Sequence, residues 1–326
     1  MTVAVTGAAG FIGGHLCRRI VELGGDAIAL ARKRPARNGR TGVGVRWVDV
    51  DLPHDASRLT SVVAGADIVV HLAGTLRART RAEFHHGNVA VTRAVVEVLA
   101  DTPSPPRLVV CSSLAAGGPA PAPGVARTEE HPPAPVSWYG HSKLAAERVA
   151  RDFCGRVPVV LVRPSIVYGP NDRAFVPWLV SAVRSGVALQ PAGRTGLYAP
   201  LHVDDLCDGL LAAAVRGVPA VPRSNDSGLY HLAEGRHYTL AELTGCAAAA
   251  MGRRAPKVLP VPGPLVQLAG WVAEGASQPF GHLPTFNRDK AREACLSWTS
   301  SPERARRDLQ FHPHVSFEDG MRALFQ

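Results

Sequence analysis

The feature that most restricts how this chain can fold is a glycine-rich turn near its start. A strand-like run, Thr2-Val3-Ala4-Val5-Thr6, breaks into Gly7-Ala8-Ala9-Gly10-Phe11-Ile12-Gly13, and helix-compatible sequence follows. Each glycine answers a steric demand: Gly7 permits a tight turn, Gly10 lets backbone approach a ligand, and Gly13 lets the helix pack closely on the strand layer. The first N–H groups of such a helix have no intrahelical partner, and with the helix dipole they attract a diphosphate. Three glycines spaced by two residues say little alone. Set between a strand and a helix, they predict a dinucleotide site lined by Gly7, Ala9, Gly10, Phe11, Ile12 and Gly13.

The rest of the chain agrees with that start. Continuous apolar runs at 2–6, 27–31, 45–48, 67–72, 107–112 and 158–163 predict strands, with helices near 11–23, 55–64, 83–100 and 137–154 between them. Apolar strands alternating with helices predict an α/β fold, a doubly wound parallel sheet of Rossmann type covered on both faces. Pro- and Gly-rich loops at 103–106, 117–124 and 131–135 adjoin strand ends on the ligand side. Beyond residue 170 the pattern loosens into helices near 174–186 and 239–251, a Pro-rich stretch at 256–264, and a helix at 204–216 returning to the sheet. We therefore expect a dinucleotide-binding domain over 1–168 plus about 200–230. A smaller, interleaved C-terminal substrate lobe is expected over 169–199 and about 231–326.

Composition narrows the function classes. Hydrophobic residues make up 46% of the chain, and no apolar run reaches the ~18–20 residues of a membrane span. No charged, apolar and cleavage-site sequence marks a secretory signal. The six cysteines are scattered without a C-x-x-C pair, which suits reduced thiols, a cytoplasmic location and no metal site. The formal charge is +9, but nearly all the cations are arginines and no nucleic-acid motif accompanies them. Neither nucleic acid nor a membrane is expected as a partner.

Two further segments carry chemistry. In Trp138-Tyr139-Gly140-His141-Ser142-Lys143, Tyr139 and Lys143 stand four apart and share a helix face. A phenol titrates near pH 10 and a neighbouring ammonium favours its ionised form, so Lys143 would make Tyr139 a better proton relay. Ser113 ends a strand in Cys111-Ser112-Ser113-Leu114-Ala115-Ala116-Gly117-Gly118. His141 falls on a neighbouring helical face and is expected to be structural.

With its Gly-x-x-Gly-x-x-Gly spacing, strand-end serine and Tyr-x-x-x-Lys in that order, the chain resembles the extended short-chain dehydrogenase/reductase family over nearly its whole length. The likeness is to the epimerase/dehydratase-like members, on their atypical ketoreductase side. The resemblance implies a Ser113–Tyr139–Lys143 catalytic trio, with Ser113 chosen over Ser112 by its distance from the closing glycine. Tyr139 and Lys143 also contact the nicotinamide ribose side. It further implies that Asp51 and Leu52 meet the adenine, that His71-Leu72-Ala73-Gly74 lines the ribose side, and that Asn88 opens a helix at the family's Asn position. Ser112 adjoins the cofactor. Within Arg163-Pro164-Ser165-Ile166-Val167-Tyr168-Gly169-Pro170, the backbone of Pro164, Ile166 and Val167 cradles the nicotinamide. Family members pair through the helix carrying Tyr139, so a homodimer is expected.

Where the family's NAD users carry an acid at the end of the second strand, this chain has Ala31, followed by Arg32, Lys33 and Arg34. No carboxylate repels a 2′-phosphate there, and arginine's fork suits one, so NADP(H) is expected with Arg32 and Lys33 as its partners. An exchanging NADPH fits reduction of a ketone or aldehyde in a small-molecule metabolite, a likeness shared with the hydroxysteroid and dihydroflavonol reductases. Leu114-Ala115 stands where a 4,6-dehydratase would carry Asp-Glu. Tyr198 stands where an arginine usually holds a nucleotide diphosphate, with Arg194 close by. Phe175, Trp178, Leu179, Leu265, Leu268, Trp271 and Phe280 are candidates for a pocket taking a less polar ketone. Two alternatives stay open: a nucleotide-sugar epimerase with tightly bound NAD(P), and a noncatalytic NADP-binding regulator.

Overall fold

A computed structural model of the protein describes residues 1–34, 44–192, 196–277 and 286–326. Its first half runs β1 (Thr2–Thr6), α1 (Phe11–Glu22), β2 (Asp26–Ala31), β3 (Val45–Asp49), α2 (Ala56–Val63) and β4 (Ile68–His71). Then follow α3 (Arg81–Phe84), α4 (Val91–Ala100), β5 (Arg107–Cys111), α5 (Leu114–Gly117), α6 (Trp138–Asp152) and β6 (Val159–Pro164). A π-helical turn, His85–Ala90, joins α3 to α4. The second half runs β7 (Ile166–Tyr168), α7 (Phe175–Ser185), β8 (Val187–Pro191), β9 (Leu197–Tyr198), β10 (Pro200–His202), α8 (Val203–Arg216) and β11 (Leu229–Leu232). It closes with β12 (Tyr238–Thr239), α9 (Leu240–Ala250), β13 (Lys257–Val261), α10 (Gly263–Ser277), α11 (Arg288–Ala294), α12 (Glu303–Leu309) and α13 (Phe317–Ala323).

Seven parallel strands form the main sheet in the order β11-β6-β5-β4-β1-β2-β3. Alternation along β1 sends Val3 and Val5 to one face, where they pack with α1 and α8, and Ala4 to the other, with α2 and α4. Burial on both faces explains why the strands read as unbroken apolar runs. The chain leaves β1 toward β2 and β3, then crosses back to β4. A crevice therefore opens between β1 and β4 at the carboxyl ends of the strands.

Six of these strands lie within a residue or so of their expected bounds, but the 103–106 loop, expected on the ligand side, precedes β5 and so lies at the amino ends of the strands. The seventh, β11, was not foreseen. Its sequence, Leu229-Tyr230-His231-Leu232, carries a fully buried histidine and follows a polar loop. On its outer edge the His231 N–H donates to the Glu129 carboxylate at 2.7 Å, so a side chain from a distant loop covers an edge that would otherwise invite another strand.

Outside the sheet, Tyr168, Leu179, Tyr238, Leu243, Phe317 and Met321 form a separate core under α7, α9 and α13. Beside it β8 and β13 pair as a two-stranded parallel ribbon. The hairpin of α10 and α11 packs at Gly270, where a Cβ would come within 2.6 Å of the Ala291 methyl.

Candidate active site

Because the six expected strands are parallel, the motif residues that follow them gather at one edge of the sheet. Gly7 has φ +68°, and a Cβ there would sit 2.7 Å from the Ala73 nitrogen, so the turn after β1 lies directly against the strand-end segment after β4. A Cβ on Gly13 would lie 2.5 Å from the Gly7 carbonyl, which confirms close helix packing as its role. Gly10 caps α1 with no side-chain bond, and the first turn carries no acid. Ala9 and Gly10 are exposed, and Leu72 and Ala73 are half-buried beside them. A bare helix N-terminus beside an open crevice fits a dinucleotide diphosphate.

The remaining cofactor candidates line the same edge. Arg32 and Lys33 follow β2, both exposed, with no carboxylate at ion-pair distance among the described residues. Asp51 is exposed after β3, and half-buried Leu52 packs on the core below it. Pro164 ends β6, while Ile166 and Val167 are half-buried on β7. Between them the Ser165 hydroxyl is buried with no partner among the described residues, a polar group left for a ligand.

Ser113 caps α5 by accepting from the Ala115 N–H at 3.2 Å, which points its hydroxyl along the end of β5. Tyr139 sits in the first turn of α6, whose start is fixed twice. Ser137 accepts from the Gly140 N–H at 3.1 Å, and Asp289 of α11 accepts from the Trp138 N–H at 2.7 Å. A Cβ on Gly140 would strike the Ala115 carbonyl, so this glycine lets α6 close on α5 and sets Tyr139 beside Ser113. Burial pushes the Tyr139 phenol well above its ordinary value. The neighbouring Ser113 hydroxyl opposes this, and Cys111 and the Glu293 carboxylate of α11 add to it.

Three expectations need correction. The Lys143 ammonium is hydrogen-bonded to backbone, not to the Tyr139 hydroxyl. It donates to the Cys111 carbonyl at 2.8 Å, and burial lowers its own pKa. The phenol is therefore held as a proton donor, not as a phenolate. Secondly, Asn88 does not open a helix but lies inside the π-helical turn. Its amide oxygen accepts from the Thr75 N–H at 2.8 Å, while its nitrogen donates to the Thr75 carbonyl and to the Ser142 hydroxyl. Ser142 in turn donates to the Tyr139 carbonyl at 2.7 Å. Asn88 thus ties the β4 loop to the catalytic helix. Thirdly, the Ser112 hydroxyl turns into the core and bonds Glu147, which also takes both arms of Arg163 at 2.7–2.8 Å.

Sequence reading also missed a buried polar chain. The Ala73 N–H donates to Thr6 Oγ, Thr6 Oγ meets His71 Nδ1 at 2.7 Å, His71 Nε2 meets Thr92 Oγ at 3.0 Å, and Thr92 donates to the Asn88 carbonyl. The two ends fix the direction. Thr92 spends its proton on a carbonyl, so it accepts from Nε2–H, and Nδ1 accepts from Thr6. Burial, aided by the nearby Lys143 charge, pushes the His71 pKa down to about 3, so the ring is neutral. A histidine after a strand gave a signal, but its hydroxyl partners, 21 and 65 residues away, gave none. His141 is exposed on an outer groove with Arg81, His85 and Trp138, apart from the trio.

Among the described residues, those expected to line an apolar pocket fall in different places. Leu179 belongs to the aromatic core. Trp178 is 43% exposed and stacked on Phe175, and Leu265, Leu268 and Trp271 stand on the outer surface. Phe280 and Arg194 lie outside the described residues. Tyr198 is half-buried on β9, its hydroxyl 3.2 Å from where a Cβ on Gly196 would be.

Comparison with known proteins agrees with this geometry. The profile of the NAD dependent epimerase/dehydratase family matches residues 3–223. A ceramide reductase of Caulobacter vibrioides is 31% identical over 92% of this chain and 86% of its own length. A 4-hydroxy-2-methyl-3-oxo-4-farnesyl-3,4-dihydroquinoline-1-oxide ketoreductase of Stigmatella aurantiaca is 28% identical over 100% of this chain and 96% of its own. Among solved structures, MoeE5 in complex with UDP-glucuronic acid and NAD superposes with a TM-score of 0.73 at 25% identity, covering 100% of this chain and 97% of that one. The chain thus belongs to the NAD-dependent epimerase/dehydratase family, the extended branch of the short-chain dehydrogenases/reductases, and is an enzyme of that type, whose members use a nicotinamide cofactor.

Proposed function

We propose that the protein is an NADPH-dependent ketoreductase acting on a ketone or aldehyde in a larger, partly apolar small molecule. The observation that carries this reading is the end of β2, where Arg32 and Lys33 stand exposed and no carboxylate replaces Ala31. An acid there would repel a 2′-phosphate; two cations attract it. The glycine turn would hold the diphosphate, Asp51 and Leu52 the adenine, and Ser165 with its neighbours the nicotinamide end. Bound there, the nicotinamide supplies the hydride.

This chain's residues manage the oxygen. Tyr139, kept protonated by burial, gives its proton to the reacting carbonyl oxygen, while Ser113 donates a hydrogen bond to the same atom. With the cofactor bound, Lys143 would hold the ribose and favour the ionised form of Tyr139 as it gives up its proton. Two relatives, a ceramide reductase and a ketoreductase, support the direction. We place the enzyme in the cytoplasm, as a homodimer with neither nucleic acid nor metal as a partner.

A second reading, nucleotide-sugar epimerisation, draws on the likeness to MoeE5 with its UDP-sugar. Tyr198 in place of a diphosphate-holding arginine weighs against it. The test is oxidation of NADPH and NADH against panels of ketones and nucleotide sugars. We expect NADPH to be consumed with apolar ketones, and Tyr139→Phe to lower kcat by about 1,000-fold while cofactor affinity stays within about twofold. Turnover of a nucleotide sugar without net NADPH loss, or equal use of NADH, overturns the reading.

A further inference from the structure

We propose that Glu293 determines specificity in the reduction: its carboxylate accepts a hydrogen bond from a hydroxyl or amide N–H that the substrate carries near the reacting carbonyl, and it turns away substrates with an anion there. This deepens the ketoreductase reading of the same cleft and rests on it. The short helix α11 is wedged between two others. Ala291, fully buried, meets α10 at Gly270. Asp289 points the opposite way and accepts from the N–H of Trp138, the residue before Tyr139, at 2.7 Å. Arg292 reaches the same stretch, donating to the Val136 carbonyl at 3.3 Å. Glu293 stands one helical turn beyond Asp289, so it shares the face turned toward α6. The end of α11 is pinned as well, because the Trp298 indole N–H donates to the Glu293 carbonyl at 2.9 Å.

The carboxylate is held where a ligand can use it. Its side chain is 13% exposed, while that of its ion-pair partner Lys290 is 58% exposed. Lys290 meets Oε2 at 2.7 Å from the solvent side, and a pair with one partner so exposed contributes little. Oε1 has no hydrogen-bond partner among the described residues. The charge of Glu293 reaches the Tyr139 phenol and helps to keep it protonated, and among the described residues no cation acts on that phenol against it. Glu293 and Tyr139 thus face one cleft. An acceptor with a spare oxygen rewards a donor brought to it, and a charged acceptor does so more than a neutral one. A substrate carboxylate or phosphate in the same place would meet negative charge instead. With Tyr139 and Ser113 both spent on the carbonyl oxygen, Glu293 supplies a second point of anchorage, and a hydroxyl or amide N–H satisfies it without adding charge.

The test compares aryl ketones of related skeleton: phenacyl alcohol and β-hydroxypropiophenone, the methyl ether of each, and the anionic benzoylformate. Affinities are read by calorimetry on the full chain with NADP+ and, separately, with NAD+ present; turnover is read as NADPH oxidation. We expect at least one hydroxyketone to bind about tenfold or more tightly than its ether, with the same preference in kcat/KM. Glu293→Ala should bring that ratio close to one. Glu293→Gln, which keeps the shape and loses the charge, should retain part of the hydroxyl preference and bind benzoylformate about tenfold more tightly than the wild type does. Such a gain does not come from a damaged fold. Equal or undetectable binding of hydroxyketones and ethers by the wild type overturns the proposal, as does a hydroxyl preference and a benzoylformate affinity that both substitutions leave unchanged. Absence of NADPH oxidation with every ketone sinks the reductase reading instead, and the calorimetric ratios then decide for Glu293 independently.

Discussion

The two walls of the cleft are built on opposite principles. The cofactor wall is a buried sheet edge in which close backbone approaches and hydrogen-bonded side chains hold one another in place, from Ala73 through Thr6, His71 and Thr92 to Asn88. Behind it, Ser112, Glu147 and Arg163 form a closed buried set. The other wall, which we propose faces the substrate, has a strand pair only two residues long, a ribbon with Leu189 62% exposed, and a helical hairpin whose outer face is apolar. On that proposal, rigid geometry is placed where a constant cofactor is met, and loosely specified surface where substrates vary.

Four substitutions probe that contrast. Glu147→Gln strikes the cofactor wall hardest: it strips the charge partner from a buried Arg163 and should cost about 3–5 kcal/mol of unfolding free energy in urea titration. If the loss is below about 1 kcal/mol, the wall is not held by this set. Gly140→Ala comes next, because its methyl must displace the Ala115 carbonyl and separate Ser113 from Tyr139. We expect kcat down by about 100-fold with cofactor affinity nearly unchanged.

The third prediction concerns pH. His71 titrates near 3 when folded, against about 6.5 when unfolded, so between these values the unfolded chain binds the extra proton. Stability therefore rises with pH across that window and is lost as pH falls through it. His231, also pushed to about 3 by burial, contributes in the same direction. His71→Asn should flatten the dependence by up to about 1.4 kcal/mol per pH unit between pH 6 and 4, read from urea midpoints. The mildest change is Leu189→Ser on the substrate wall, expected to stay within about 0.5 kcal/mol of wild type; a larger loss would mean that the ribbon is part of a core.

How much of this was readable beforehand follows the same division. Strands with both faces buried announce themselves as apolar runs, and the glycine turn and Tyr-x-x-x-Lys are local patterns. The residues that make those patterns work were silent. Glu147 reads as an ordinary helix-surface acid until Arg163 and Ser112 are brought to it by the sheet. Gly140 looks like a weak spot in a helix until α5 is seen against it. Asp289 lies 151 residues from the amide it caps, with no periodicity to link them. The substrate wall was the least legible, because its apolar residues have the composition of a core and the exposure of a surface.

The route by which the chain completes its sheet has a further consequence. After β6 it departs for β7, α7 and β8, returns through α8 to lay down β11, departs again for α9 to α11, and comes back as α12 against α8 and β11. Exchange of the substrate-facing segments between relatives by recombination thus needs at least two separate crossovers. A single splice would leave either β6 bare at the edge or α12 without its seat. Diversification of specificity in such a chain is channelled into point substitutions and loop insertions in place of wholesale exchange.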